Sequence, residues 1–209
     1  MAVMPMFPLG TPLLPGAVLP LHVFEPRYRQ MVQDLLADDA DAPEFGVVMI
    51  ERGREVGGGD VRSMVGTIAR VVDIRVTPDG RYALAAVGTE RLRVTAWLAD
   101  DPYPRADVER WPDDDTGAVV TSDAIAELTG RVRDIATQAA GTAAPDGPGT
   151  QPEISEDPRL ALFHLAALAP LGAADRQRIL AAPGSAERLA ALRQALDDVE
   201  AVMEFRRAW

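Results

Sequence analysis

Apolar residues change their rhythm twice along the chain, and each change marks a different kind of element. From residue 3 to 24 they are broken by prolines at 5, 8, 12, 15 and 20. Proline removes a backbone donor and disrupts a helix interior, so this stretch predicts short extended pieces, around Met4 to Phe7 and Ala17 to Leu19, separated by turns. After Pro26 the apolar positions Tyr28, Met31, Val32, Leu35 and Leu36 recur at helical spacing. One amphipathic helix is expected there, ending in the acidic "ADDADAP". From Phe45 the texture becomes that of strands. "FGVVMIE" and the long β-branched "SMVGTIARVVDIRVT" flank a flexible "EVGGGD" connection. Asp79-Gly80 favours a tight primed hairpin turn into "RYALAAVG", and "ERLRVTAWLA" and "RADVERW" read as two more strands. Several strands with one early helix predict a strongly bent sheet or partial barrel.

The second change follows "WPDDDTGAVV", where strand signals vanish and an Ala/Leu-rich helical pattern begins. The expected organisation is a β domain over 1–118 and a helical domain over 119–209. A helix is expected from Ser122 or Asp123 to Ala140, with Ile125, Leu128, Val132 and Ile135 inward and Gly130 as a weak point. Residues 141–153, "GTAAPDGPGTQPE", read as a flexible linker. Asp157-Pro158 then opens a helix to Leu168, "AADRQRILAA" a short one, and Ser185 caps a long final one. The fold class is α+β.

Charge and composition narrow the chemistry. The formal net charge is -11, and the division at 118 leaves both parts acidic, with 12 arginines against 19 acids before it and 9 against 13 after it. A nucleic-acid surface needs clustered cations, so this distribution argues against nucleic-acid binding. All 21 basic residues are arginine and there is no cysteine. That excludes a Walker-type lysine, a Schiff base, a thiol nucleophile and a thiolate metal site within this sequence. No apolar run approaches the roughly 20 residues of a spanning helix, and the start carries no basic-then-apolar leader pattern. A soluble, cytoplasmic protein is the expectation.

Each candidate site competes with a plainer structural role. His22 and Glu25 are three residues apart in "LPLHVFEPRYRQM", a spacing that suits a general base and its orienting acid. The flanking Val23, Phe24 and Tyr28 look like core, however, and Glu25 before Pro26 sits where a carboxylate meets a helix start, with Arg27 or Arg29 as charge partner. The corner therefore reads as structural. His164 in "ALFHLAAL" lies among apolar neighbours. Two distant histidines supply no zinc site, and "DDAD" and "DDD" read as solvated loops. Of the four serines, Ser63, Ser122, Ser155 and Ser185, none lies in a nucleophile elbow. "EVGGGD" lacks the spacing of a phosphate-binding loop. No catalytic, metal or cofactor residue is assigned.

The stretches "MFPLGTPLLPGAVLPLHVFEPRYRQMVQDLL", "FGVVMI", "VGTIARVVDI", "DGRYALAAVGTERLRV" and "YPRADVERW", followed by "DRQRILAAPGSAERLAALRQAL", resemble the N-terminal domain of Lon-type ATP-dependent proteases in its stand-alone version. Leu14 stands where the family usually has Phe, and Leu92 where an aromatic commonly follows Arg. The resemblance implies a PUA-like β pseudo-barrel followed by a helical bundle, without ATPase or protease domains. It further implies a non-catalytic protein- or peptide-binding module acting on unfolded or exposed protein segments, with a protease or chaperone as the associated partner. The competing readings are an RNA-binding PUA-like module and a carboxylate-based hydrolase. A long apolar groove with unpaired strand edges would favour peptide capture by strand addition or helix docking.

Overall fold

The computed structural model describes residues 2–37, 42–53, 60–114, 119–140 and 154–207. The acidic segment 38–41, most of the glycine-rich connection and the linker 141–153 lie outside the described residues. The chain divides into two compact units, Met1–Pro112 and Asp113–Trp209.

The first unit carries six strands, β1 (Ala2–Leu9), β2 (Val18–Val23), β3 (Glu44–Arg52), β4 (Val61–Val76), β5 (Tyr82–Trp97) and β6 (Arg105–Arg110), with one helix, α1 (Pro26–Ala37), between β2 and β3. The sheet order is β2-β5-β4-β3-β1-β6, and β6 returns to pair with β5. That closure makes a pseudo-barrel. β5 permits it because its first half, from Tyr82 to Val87, pairs with β2, while its second half, from Leu92 to Trp97, pairs with β6. β1 is staggered likewise, Ala2 to Pro5 pairing with β6 and Met6 to Leu9 with β3. Each half of β1 is thus bonded on one side, an arrangement that tolerates Pro5 and Pro8.

Alternation along the strands builds two cores. Met6, Val48, Ile68, Leu92, Val94, Ala106 and Val108 fill the barrel. Their strand neighbours Phe7, Val47 and Ala69 point the other way, into a second cluster with Tyr28, Met31 and Val32 of α1. Phe7 stacks on Tyr28 with ring centroids 4.1 Å apart. Both faces of β3 are therefore buried, which is why "FGVV" reads as a continuous apolar run. Leu14 and Leu92, the two departures from the family pattern, are both buried.

The strands differ from expectation in two places. "RYALAAVG" and "ERLRVTAWLA" form one strand, β5, because Gly88 is not a turn. A Cβ there would stand 2.5 Å from the Leu14 carbonyl oxygen, so glycine lets β5 run on beneath the Leu13-Leu14 segment. The hairpin between β4 and β5 is also not a two-residue primed turn, which needs positive φ at both central residues. Only Gly80 has one, at 74°, while Gly80 N–H donates to Thr77 and Thr77 N–H to Arg81, each at 2.9 Å. Pro78, with φ locked negative, selects this three-residue loop with a glycine bulge.

The second unit contains α2 (Ser122–Ala140), α3 (Pro158–Leu168), α4 (Ala173–Leu180) and α5 (Ser185–Arg207). α3 packs against the other three, and its Ala161, Leu162, Phe163, Leu165 and Ala166 are all buried. Leu128, Val132 and Ile135 of α2 are buried with them, whereas Ile125 is only half-buried. Asp157 opens α3 as expected, whereas the expected cap Ser185 is already inside its helix. Thr121 caps α2, its hydroxyl accepting from Ala124 N–H at 3.3 Å. Asp157 caps α3, accepting from Arg159 N–H at 2.9 Å, and Ser185 is the first residue of α5.

Candidate functional site

The polar corner that opens α1 is built as a joint. Glu25 accepts from Arg27 at 3.1 Å, and the Arg27 guanidinium lies 4.6 Å over the Tyr28 ring. Burial pushes the Tyr28 phenol up to about 12, against the opposing charge of Arg27 and with a smaller push from Glu25. His22 does not join this group; it is exposed on β2, opposite Ala83 of β5. Phe24, expected in the core, is 53% exposed. Val23 is buried, and strand alternation turns its neighbour to solvent.

The remaining sequence candidates are also placed structurally. Ser63 is buried, and its hydroxyl accepts from Val65 N–H at 3.3 Å. His164 is half-buried on α3, where Nδ1 accepts from Ser155 N–H at 3.3 Å. Among the described residues no group of three or more acids or histidines is placed to hold a metal ion. Two acids do converge, but on an arginine. Asp60 lies 2.7 Å and Asp100 2.8 Å from the Arg62 guanidinium, which is itself 4.8 Å over Trp97. Burial works to raise the Asp60 carboxyl, but hydrogen bonds from Arg62 and the backbone, with the charges of Arg62 and Arg27, hold it below the usual carboxylate range. A hydrolytic acid needs a shift in the other direction. "DDD" is no simple solvated loop either, because Asp113 is the partner of the buried Arg188.

Five exposed arginines of the sheet and its β4–β5 hairpin are matched with acids. Arg70 and Arg110 meet Glu44, Arg110 also meets Glu90, Arg75 meets Asp73, Arg81 meets Asp79 and Arg93 meets Glu109. Such pairing leaves these guanidinium groups already neutralised locally, the opposite of a phosphate-binding stripe.

What the sheet does offer is an apolar outer face where β2 extends beyond the barrel. Cross-strand register sets three rows there: Val18, Val87 and Arg70; Pro20, Ala85 and Asp73; His22, Ala83 and Arg75. Val18, Pro20 and His22 are exposed, while Val87, Ala85 and Ala83 are half-buried beside them. The small side chains of β5 form a shallow trough between the taller residues of β2 and the charged margin of β4. Same-face residues repeat at about 6.6 Å, so the three rows span roughly 13 Å. Val72, displaced by the bulge in β4, adds another exposed apolar residue at 59%.

The edge of β2 is less inviting than its face. Ala17 accepts from Gly88 N–H at 2.9 Å, so alternation turns the backbone groups of Leu19, Leu21 and Val23 toward β5. Those of Val18, Pro20 and His22 point to the open edge. Pro20 has no N–H, which interrupts the donors a further strand would need. Sequence reasoning missed this face because it took "LPLHVFEPRY" as a corner. The available signal was the alternation of Leu19, Leu21 and Val23 with Val18, Pro20 and His22.

A barrel unit followed by a helical unit, with no assembled catalytic group among the described residues, is matched over residues 3–198 by the family model described as the ATP-dependent protease La (LON) substrate-binding domain. The chain belongs to this Lon substrate-binding domain family. It is 29% identical over 205 residues to Lon protease 1 of Herpetosiphon aurantiacus, covering 93% of this chain and 24% of that protein. With Lon protease 2 of Myxococcus xanthus it shares 34% over 110 residues, 51% of this chain and 13% of the relative. The chain thus spans a quarter or less of the length of these curated relatives. A crystal structure of a Lon N-terminal domain protein from Xanthomonas campestris superposes with a TM-score of 0.68 at 25% identity, covering 93% of this chain and 98% of that one. The N-terminal domain of Mycobacterium avium complex Lon protease shares the fold, with a TM-score of 0.61 at 19% identity over 94% and 99% of the two chains. The Lon match accounts for the α+β pseudo-barrel architecture. Among the described residues no helix is long and apolar enough to cross a membrane.

Proposed function

We propose that this chain is a non-catalytic binding module that captures exposed apolar segments of other proteins on the outer face of β2 and β5. The observation that carries the reading is the three-row strip, in which Val18, Pro20, Val87, Ala85 and Ala83 lie side by side at the surface. An apolar surface of this kind is stabilised by being covered, and small central residues accept side chains of varied shape. The family's description as a substrate-binding domain supports the same role. The blunted β2 edge favours recognition through side chains over strand addition. A segment would then be selected for apolar content, with little dependence on its backbone register. Delivery of the captured segment to a protease or chaperone is the function such a module would serve.

The test is fluorescence anisotropy of a labelled, permanently unfolded carboxymethylated protein titrated with this chain and with Ala85→Arg. The arginine places a charge in the strip opposite Asp73, where it can remain folded. Saturable binding by wild type and at least tenfold weaker binding by a folded Ala85→Arg are expected. Equal binding by the two would remove the strip from the function, and no saturable binding by wild type would remove the function itself.

A further inference from the structure

We propose that the open edge of β4, residues 72–76, pairs with the same edge of a second copy of this chain in an antiparallel, two-fold ladder centred on Ile74. This concerns an edge of the sheet and is independent of capture on its outer face. β3 follows β4 only as far as Arg70, and Val71 N–H is taken by the Pro43 carbonyl at 2.9 Å. From there β4 is paired with β5 alone, in regular register from Asp73 opposite Ala85 to Val76 opposite Tyr82. Thr77 N–H turns inward to the Arg81 carbonyl at 2.9 Å. Alternation therefore turns the backbone of Arg75 and Asp73 toward β5 as well, and that of Ile74 and Val76 outward. Among the described residues nothing pairs with those outward groups. Proline blunts the β2 edge, but 72–76 contains none.

The order of residues along this edge identifies its occupant. In Val72-Asp73-Ile74-Arg75-Val76, opposite charges stand at equal distances on either side of Ile74. An antiparallel pairing of two copies about Ile74 sets Asp73 of each opposite Arg75 of the other, as a two-fold interface requires. The outward groups of the two Ile74 residues then exchange both backbone bonds, and Val76 of each copy comes opposite Val72 of the other. Centring the pairing on Asp73 or on Arg75 instead sets like charges face to face, so the charges select the register. Within one chain Asp73 and Arg75 already meet at 3.2 Å and remain exposed. Pairing turns that couple into four alternating charges without burying an unmatched one. Val72 and Val76, 59% and 68% exposed, flank them and lose contact with water.

The experiment is sedimentation velocity of the full chain. A five-residue edge makes a contact well below the roughly 1,600 Å² of a standard interface, so reversible dimerisation is expected at loadings from about 10 to 500 μM. Arg75→Asp and Asp73→Arg each set like charges opposite one another twice in the pair, and each should raise the dissociation constant about tenfold. An equimolar mixture of these two variants restores opposite charges at both positions and should dimerise as wild type does. The double variant Asp73→Arg/Arg75→Asp matches its own copy again and should also dimerise. Both side chains are exposed, so native far-UV circular dichroism is expected of every variant. A wild type that stays monomeric over this range overturns the proposal. So do single variants as dimeric as wild type, or a mixture no more dimeric than its folded components.

Discussion

The Arg188 guanidinium is held by Asp113 through two hydrogen bonds of 2.8 and 2.5 Å while lying 3.9 Å over the ring of Phe163. Arg188 is wholly buried on α5, and Asp113 belongs to the segment that enters the helical unit. Asp114 N–H adds a bond to the Pro183 carbonyl at 3.0 Å, so the segment is tied at two successive residues. Removing one partner of a buried pair leaves the other charge uncompensated, which costs about 3–5 kcal/mol. Asp113→Ala should therefore destabilise the helical unit by that order in urea denaturation. Arg188→Met should cost less, because it removes the buried charge and leaves a carboxylate that water can reach. Equal losses would show that packing on Phe163, rather than the charge pair, holds α5.

How far the sequence was legible follows from the range of each interaction. The α1 pattern was readable because Tyr28, Met31 and Val32 repeat within one helix, and all three are buried. Leu36 fits the same pattern yet is 50% exposed, since the helix face is wider than the core it meets. The Arg188 clamp joins residues 75 positions apart, and "DDD" carries no local sign of it. The outer face of β2 and β5 was missed for a different reason. Its signal is a period of two across "VLPLHV", but the prolines and the apolar Phe24 drew the reading toward a buried corner.

Gly130 and Gly66 should respond to the same substitution with opposite signs. Gly130 lies inside α2, and beyond the adjoining backbone of its own helix no described atom comes within 4 Å of the place a methyl group would take there. Gly130→Ala should therefore stabilise by roughly 0.5–1 kcal/mol, the usual gain at an open helix interior. Gly66 in β4 has no such space, because a Cβ would collide with the Val47 carbonyl and stand 2.7 Å from Val48. Gly66→Ala should lower the melting temperature of the barrel unit, and calorimetry on the two variants reads both outcomes.

Tyr28 should limit stability at high pH. Its folded value, raised chiefly by burial to about 12, lies above the unfolded value of 10. The folded state therefore holds the phenolic proton more tightly. Its contribution is fully present below about pH 10 and is lost as pH rises toward about 12, amounting to roughly 3 kcal/mol across that window. Alkaline unfolding followed by circular dichroism should show this slope in wild type and a shallower one in Tyr28→Phe. Matching slopes would place the alkaline limit elsewhere.

Pro20 should be the residue that keeps the β2 edge from recruiting another strand. The edge presents the backbone of Val18, Pro20 and His22, and proline withholds the middle donor. Pro20→Val would supply it, giving three consecutive donors at the same spacing as an ordinary ladder. The side chain remains apolar and on the same face, so the strip should keep its capture of unfolded protein. Sedimentation velocity should then show Pro20→Val associating beyond the size that wild type reaches at the same loading. A Pro20→Val no larger than wild type would mean that twist or covering of the edge, rather than the missing N–H, prevents pairing. In that case strand addition by a captured segment would again compete with side-chain recognition on the outer face.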